Sequence, residues 1–203
     1  SFFSSNFLLK RAEVAFAKNH IKDLSKITNI FVPKIINKQI DKIFDQGQID
    51  GEFIIPFEEN GDIGNDYGFS GRILDASINI TKEFQIKNLT TEIRHTKEDS
   101  ANLFNIAIKK GSLLDFDLTD SIFELKRDNN ETKVKSLLKT KGDFDFANVK
   151  KISSLLNFNI DNIKNIEGKT DLKINIDFKL NKNYRIKNLV YLIEGEIPYS
   201  EIY

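Results

Sequence analysis

The chain has 203 residues, 40% of them hydrophobic and 30% charged, which is enough apolar surface to bury a core and excludes a disordered segment. Thirty basic residues balance thirty acidic ones, with the signs interspersed, so there is no basic stripe of the kind a nucleic-acid binder needs to neutralise phosphates. With no Cys, disulfides, thiolate metal sites and cysteine nucleophiles are excluded, and no apolar run approaches the ~18 residues of a membrane-spanning helix.

The opening Ser1-Phe2-Phe3-Ser4-Ser5 lacks a Met and the charged start of a signal peptide, as expected of a cut from a longer chain. Residues 1–47 read as a helical N-terminal segment. Ile21, Leu24, Ile27 and Ile30 recur at helical spacing before Pro33, and Ile36, Ile40, Ile43 and Phe44 share one face of a second helix with Gly47 as its C-cap.

From Gln48 the period changes to two, and residues 48–145 read as a β-sheet segment. Ile49, Gly51 and Phe53 lead into Ile54, Ile55 and Phe57 and then Glu59-Asn60-Gly61-Asp62, where Asn-Gly between apolar runs predicts a hairpin. Leu74, Ala76, Ile78 and Ile80 alternate with polar residues. Further strands are expected at 84–94, 102–109, 112–118, 121–127 and 132–140, with Phe104, Ile106 and Ile108 on one face and Leu114, Phe116 and Leu118 on another. A helix period at Phe146, Val149, Ile152, Leu155 and Leu156 marks 146–165 as a short helix and linker. Residues 166–203 read as a β-hairpin continuing the sheet, with Leu172, Ile174, Ile176, Phe178 and Leu180 alternating against Lys173, Asn175, Asp177 and Lys179.

Each strand thus has one apolar and one polar face, the pattern of an antiparallel sheet covered on one side. The few helices cannot cover so many strands, so either the sheet curls on itself or part of its apolar face stays available. A faint internal repeat accompanies this. Gly71 and Gly168 each open a long strand, and a polar turn then leads to Ile86-Lys87-Asn88-Leu89 or Ile186-Lys187-Asn188-Leu189. Chance similarity in a chain rich in Lys, Asn and Ile is the alternative.

Residues that could do chemistry are sparse. His20 and His95 are far apart with no partner motif and read as exposed, and no HExxH, GxSxG, P-loop or GxGxxG pattern occurs. Asp115/Asp117 and Asp143/Asp145 would share a strand face at spacing two, and they read as the solvated side opposite Phe116 and Phe144. The loop from Glu58 to Asp66 has oxygen ligands but not the EF-hand spacing, so it reads as a polar hairpin loop. Three glycosylation sequons, at Asn79, Asn88 and Asn130, are expected by chance in an Asn-rich chain. Neither a cofactor nor a metal site is expected, nor an enzyme.

One arrangement is more specific. Val32-Pro33-Lys34-Ile35-Ile36-Asn37 runs into Asp41-Lys42-Ile43-Phe44-Asp45-Gln46-Gly47-Gln48-Ile49-Asp50-Gly51, and Gly71-Arg72-Ile73-Leu74-Asp75-Ala76 follows the Asn-Gly turn. A strand ending in Lys141-Gly142-Asp143-Phe144 then precedes a helix and Gly168-Lys169-Thr170-Asp171-Leu172. This order, over about residues 30 to 197, resembles the AsmA-like superfamily and within it the large YhdP/DUF3971-type envelope proteins. The chain departs from them in having Ile43-Phe44 where many relatives carry a Trp, and in being far shorter than a whole member.

The resemblance implies a periplasmic protein of Gram-negative type, anchored in the inner membrane through a segment outside this chain, with other envelope proteins as further partners. It implies an elongated, twisted antiparallel sheet forming an open apolar groove, along which phospholipid acyl chains move between the inner and outer membranes. On that reading the groove is lined by Leu74, Ile78, Ile80, Phe104, Ile106, Ile108, Leu172, Ile174, Ile176 and Phe178. The alternative is a structural or interaction β module of the envelope that transports no lipid.

Overall fold

Alternation of apolar and polar residues organises most of the chain into one sheet. The computed structural model describes residues 9–23, 43–62, 64, 66–80, 84–98, 101–128, 131–156, 159–181 and 185–202. The strands are β1 (Arg11–His20), β2 (Phe44–Pro56), β3 (Gly68–Asn79), β4 (Gln85–Glu98), β5 (Ala101–Leu113), β6 (Phe116–Asp117), β7 (Ile122–Arg127), β8 (Thr132–Phe144), β9 (Ile166–Leu180) and β10 (Ile186–Ile202), with helix α1 (Phe146–Leu156) between β8 and β9. They form an antiparallel meander in chain order, in which β6 and β7 together fill the place between β5 and β8. The fold is mainly β with few helices, the class expected from the pattern. β1 and β10 end the path and are not paired with each other.

Within 1–47 the helical reading is corrected over residues 11–20 and 44–47, which are strand. Arg11–His20 is a strand, because Ala12, Val14 and Phe16 alternate with Arg11, Glu13 and Ala15 and pair with Ile55, Phe53 and Gly51 of β2. Ile21 opens a single 3-10 turn, Ile21–Asp23. The helix-period residues Leu24, Ile27, Ile30, Ile36 and Ile40 lie outside the described residues. Gly47 is not a helix cap but a strand residue with φ of 142°, where a Cβ would come within 2.8 Å of the Ala76 side chain.

A line of β-bulges crosses the first four strands. Register shifts fall between Phe16 and Asn19 in β1, around Gln46 in β2, between Ile73 and Ala76 in β3, and between Lys87 and Thr90 in β4. Lys18, Asp75 and Asn88 take left-handed φ values of 54°, 48° and 51° at these points. A bulge adds one residue, bends its strand and increases the twist. Beside this line lies the row Asn19–Ile49–Ile73–Thr91–Ile108, whose members are directly opposite one another. The core gathers there: Ile49, Ile73, Ala76, Leu89 and Ile108 are buried together with Ile21 from the 3-10 turn and Leu118 from the β6–β7 connection.

Elsewhere tight geometry replaces the expected continuous strand. Residues 112–118 do not run straight: Leu114 and Asp115, with φ of 50° and 68°, form a two-residue turn between the paired Leu113 and Phe116. Asp115 and Asp117 therefore do not share a strand face. Asp117 instead accepts the Thr119 hydroxyl at 2.6 Å and its N–H at 2.9 Å, and these bonds hold its carboxyl below the usual range. Ser121, fully buried, joins the broken strand to β8: its hydroxyl donates to the Lys139 carbonyl and accepts the Lys139 N–H. Asp145 caps α1 by accepting the Asn148 N–H at 2.7 Å.

Two consequences are testable. Gly168 lies opposite Phe144, and a Cβ there would press on the Tyr199 carbonyl oxygen and come within 2.7 Å of the Phe144 ring. Gly168→Ala should therefore lower stability by about 1–3 kcal/mol in urea denaturation, whereas Gly61→Ala, whose Cβ meets nothing within 4 Å, should cost less and only through its left-handed φ.

Asp50 of β2 accepts the N–H of the bulged Lys18 at 2.7 Å and pairs with Arg72 of β3 at 3.0 Å, and the Lys18 bond is the first cause holding its carboxyl below the usual range. A carboxyl lowered in the folded state stabilises above its unfolded pKa and loses that contribution as pH falls through the lowered value. Melting curves should show wild type above Asp50→Asn at pH 7, with the gap closing below about pH 4.

Candidate functional site

Residues directly opposite in antiparallel strands project to the same face, so the register defines two faces. One row reads Phe16–Gly51–Gly71–Ile93–Ile106–Phe123–Ser136–Ile176–Tyr191, and the next Val14–Phe53–Phe69–His95–Phe104–Leu125–Val134–Phe178. This face is mainly apolar, with His95 and Ser136 as the polar members of the two rows. The opposite face carries Glu52, Ser70, Arg94, Asn105, Glu124, Lys135 and Asp177 in the row between them.

Of the lining expected from the sequence, Phe104, Ile106, Ile108, Leu172, Ile174, Ile176 and Phe178 share the apolar face, and Ile78 joins it beyond the bulge. Ile108 is only 4% exposed and belongs to the core, while Phe104, Ile106 and the four β9 residues are half-buried. Leu74 is a correction. It pairs with Gln48, and the Leu74–Asp75 bulge sends it to the face of Arg72 while Ile73 and Ala76 both enter the core. Ile80 lies just past the end of β3 and is 53% exposed.

The apolar face is most aromatic over β1–β5. Phe53 and Phe69 have ring centroids 4.9 Å apart, and Phe16 stacks on Phe69 at 6.3 Å. These rings cover the Gly51–Gly71 pair: a Cβ on Gly71 would come within 2.7 Å of the Phe69 ring. Only glycines let aromatic rings lie this flat on the sheet, a device that also recurs at Gly168 under Phe144.

His95 corrects its reading as an exposed residue. It is 4% exposed, with Phe104 at 4.6 Å on one side and Tyr67 at 5.3 Å on the other, and its Nε2 lies 3.0 Å from the Asn102 side-chain oxygen. No hydrophobic alternation marks it, because His occupies an apolar position of β4; its parity with Ile93 was the available signal. His20 is exposed, and its Nδ1 accepts the Lys22 N–H.

The polar face holds a depression over β1–β5, lined by Asp50, Glu52, Arg72, Glu92 and Arg94. Two cross-strand ion pairs hold part of this charge, Asp50 with Arg72 and Glu92 with Lys109, both at 3.0 Å. A second depression gathers Asp115, Asp143, Asp145 and Glu167 near α1, with Lys169 3.8 Å from Asp143. Among the described residues no group of His, Asp and Glu has the arrangement to hold a metal ion. Exposed pairs of this kind are worth little each, and they keep this side of the sheet wet. The loop from Glu58 closes as a hairpin turn, with Gly61 N–H donating to the Glu58 carbonyl and Asn60 Nδ2 to Asp62.

Within the apolar face Thr91 is 3% exposed and its hydroxyl has no hydrogen-bond partner. An unpaired buried hydroxyl costs about 1–3 kcal/mol. Thr91→Val, which keeps the β-branched shape, should raise stability by about 1 kcal/mol in thermal or urea unfolding.

No family model matches this chain, and no match is found among curated proteins or solved structures.

Proposed function

We propose that this chain is a non-enzymatic stretch of a lipid-binding or lipid-conducting surface, its apolar face holding phospholipid acyl chains. The observation that carries the reading is the continuity of that face. Side chains of one parity are mostly apolar along the path, interrupted by the buried Thr91, His95, Ser136 and Thr170, and Ile93, Phe104, Ile106, Phe123, Leu125, Ile174, Ile176 and Phe178 are only half-buried. Soluble folds bury or break up such area unless something else covers it. Acyl chains are a fitting occupant, because each CH₂ removed from water contributes about 0.8 kcal/mol with no polar contact required. The resemblance of the residue order to AsmA-like envelope proteins is in keeping with the same reading, on which the chain would lie in the periplasm, anchored at the inner membrane through a segment outside these residues.

A spacer or interaction module of the envelope is the second reading. It is favoured by the bulge end of the sheet, where Ile21 and Leu118 fill the core with the protein's own side chains. The two readings differ over the Phe104–Ile106 and Ile174–Phe178 region.

Protein purified under mild conditions should retain phospholipid in native mass spectrometry. A photoreactive side chain at Ile106 or Ile176 should form lipid adducts, and one at Lys135, on the opposite face, should not. Ile176→Asp should cut lipid retention roughly tenfold, the effect of withdrawing about two CH₂ contacts. Lipid-free protein with no adduct from either apolar position would sink the lipid reading and leave the spacer.

A further inference from the structure

Where the apolar face reaches the rim of the sheet, its side chains change character. Lys97, Asn102, Arg127 and Thr132 are directly opposite one another on β4, β5, β7 and β8, so they project to one face. Each is two residues along its strand from His95, Phe104, Leu125 or Val134, so that face is the apolar one. The row borders apolar surface on one side and water on the other.

Its cations have no carboxylate to meet. Elsewhere Arg72, Lys109, Lys141 and Lys179 each lie beside an Asp or Glu. Among the described residues neither Lys97 nor Arg127 has an ion-pair partner. They stand on either side of β5, two strand spacings or roughly 10 Å apart, with Asn102 between them.

Asn102 is held by a polar group buried in the apolar face. Its Oδ1 lies 3.0 Å from Nε2 of His95, which is 4% exposed between Tyr67 and Phe104. An amide oxygen only accepts, so the imidazole donates, and the two Nδ2 hydrogens of Asn102 remain for another acceptor. The row therefore offers two unpaired cations and an oriented amide donor at the edge of an apolar surface.

We propose that this row is the headgroup subsite of the lipid surface, with a phospholipid phosphate between Lys97 and Arg127 and Asn102 donating to it; the assignment rests on the lipid reading above. A phosphodiester shares one negative charge between two oxygens, which suits a cation approaching from each side. The face below accommodates the rest of the molecule. From Asn102 to Ile108 β5 rises roughly 20 Å, against about 15 Å for half of a bilayer's hydrocarbon core. An acyl chain laid from the rim over Phe104 and Ile106 thus ends short of the buried Ile108.

The adjacent row on the opposite face, Lys126–Lys133–Lys179, also carries cations. Glu131 lies 2.8 Å from Lys179, and the row beyond it is Glu124–Lys135–Asp177, which offers no apolar surface. Lys133 is therefore a control with the same charge at the same rim.

Two short-chain lipids with identical acyl groups, phosphatidylglycerol and diacylglycerol, separate the headgroup from the tails when their binding to the intact chain is titrated. Wild type should bind phosphatidylglycerol at least about tenfold more tightly. The double variant Lys97→Gln/Arg127→Gln should lose that preference and keep both its melting temperature and its affinity for diacylglycerol. Lys133→Gln should retain the preference. Equal binding of the two lipids by wild type, or the same loss in Lys133→Gln as in the double variant, overturns the headgroup subsite and leaves the lipid surface standing. Binding of neither lipid overturns both. Inorganic phosphate bound without either lipid, and lost in the double variant, also overturns the proposal, since the row would then serve a free anion.

Discussion

The structure depends on keeping one parity of side chains on one face across nine strand positions. In a sheet the side-chain period is two, so a slip of one residue would turn every apolar side chain of a strand into water. The line of bulges through Lys18, Gly47, Asp75 and Asn88 manages this constraint. Each bulge adds one residue and bends its strand, and the apolar parity is restored on its far side. Ile73 and Ala76 are three residues apart, yet both lie in the core, as do Leu89 and Ile108 on the neighbouring strands. Ile21 and Leu118 close over the bent region, and the core sits there and not at the middle of the sheet.

Much of this was legible as alternation. β9 reads directly: Leu172, Ile174, Ile176 and Phe178 share a face in the sequence and in the register with β8. The β2–β3 hairpin announces itself through Asn60-Gly61. What period alone does not carry is phase across a bulge. Leu74 looks like a lining residue because it alternates with Ala76 and Ile78, and only the inserted residue at Asp75, in a left-handed conformation unmarked by glycine, moves it to the other face. The Leu114–Asp115 turn was hidden for the same reason, since both residues take positive φ where Gly or Asn would have been the signal.

At the N-terminus the misreading has another cause. Arg11–His20 holds three alanines and three of Arg, Glu or Lys against a single Phe, and such a stretch satisfies helix propensity as readily as strand. Tertiary pairing decides it: Val14 and Phe16 reach Phe53 and the ring stack over Gly51 and Gly71 only from a strand beside β2. His95 shows the converse. Its residue type suggested surface, while its position in the row Phe69–His95–Phe104 fixed it inside. Position on the pleat outweighed side-chain identity, and Asn102 supplied the polar partner that burial demands.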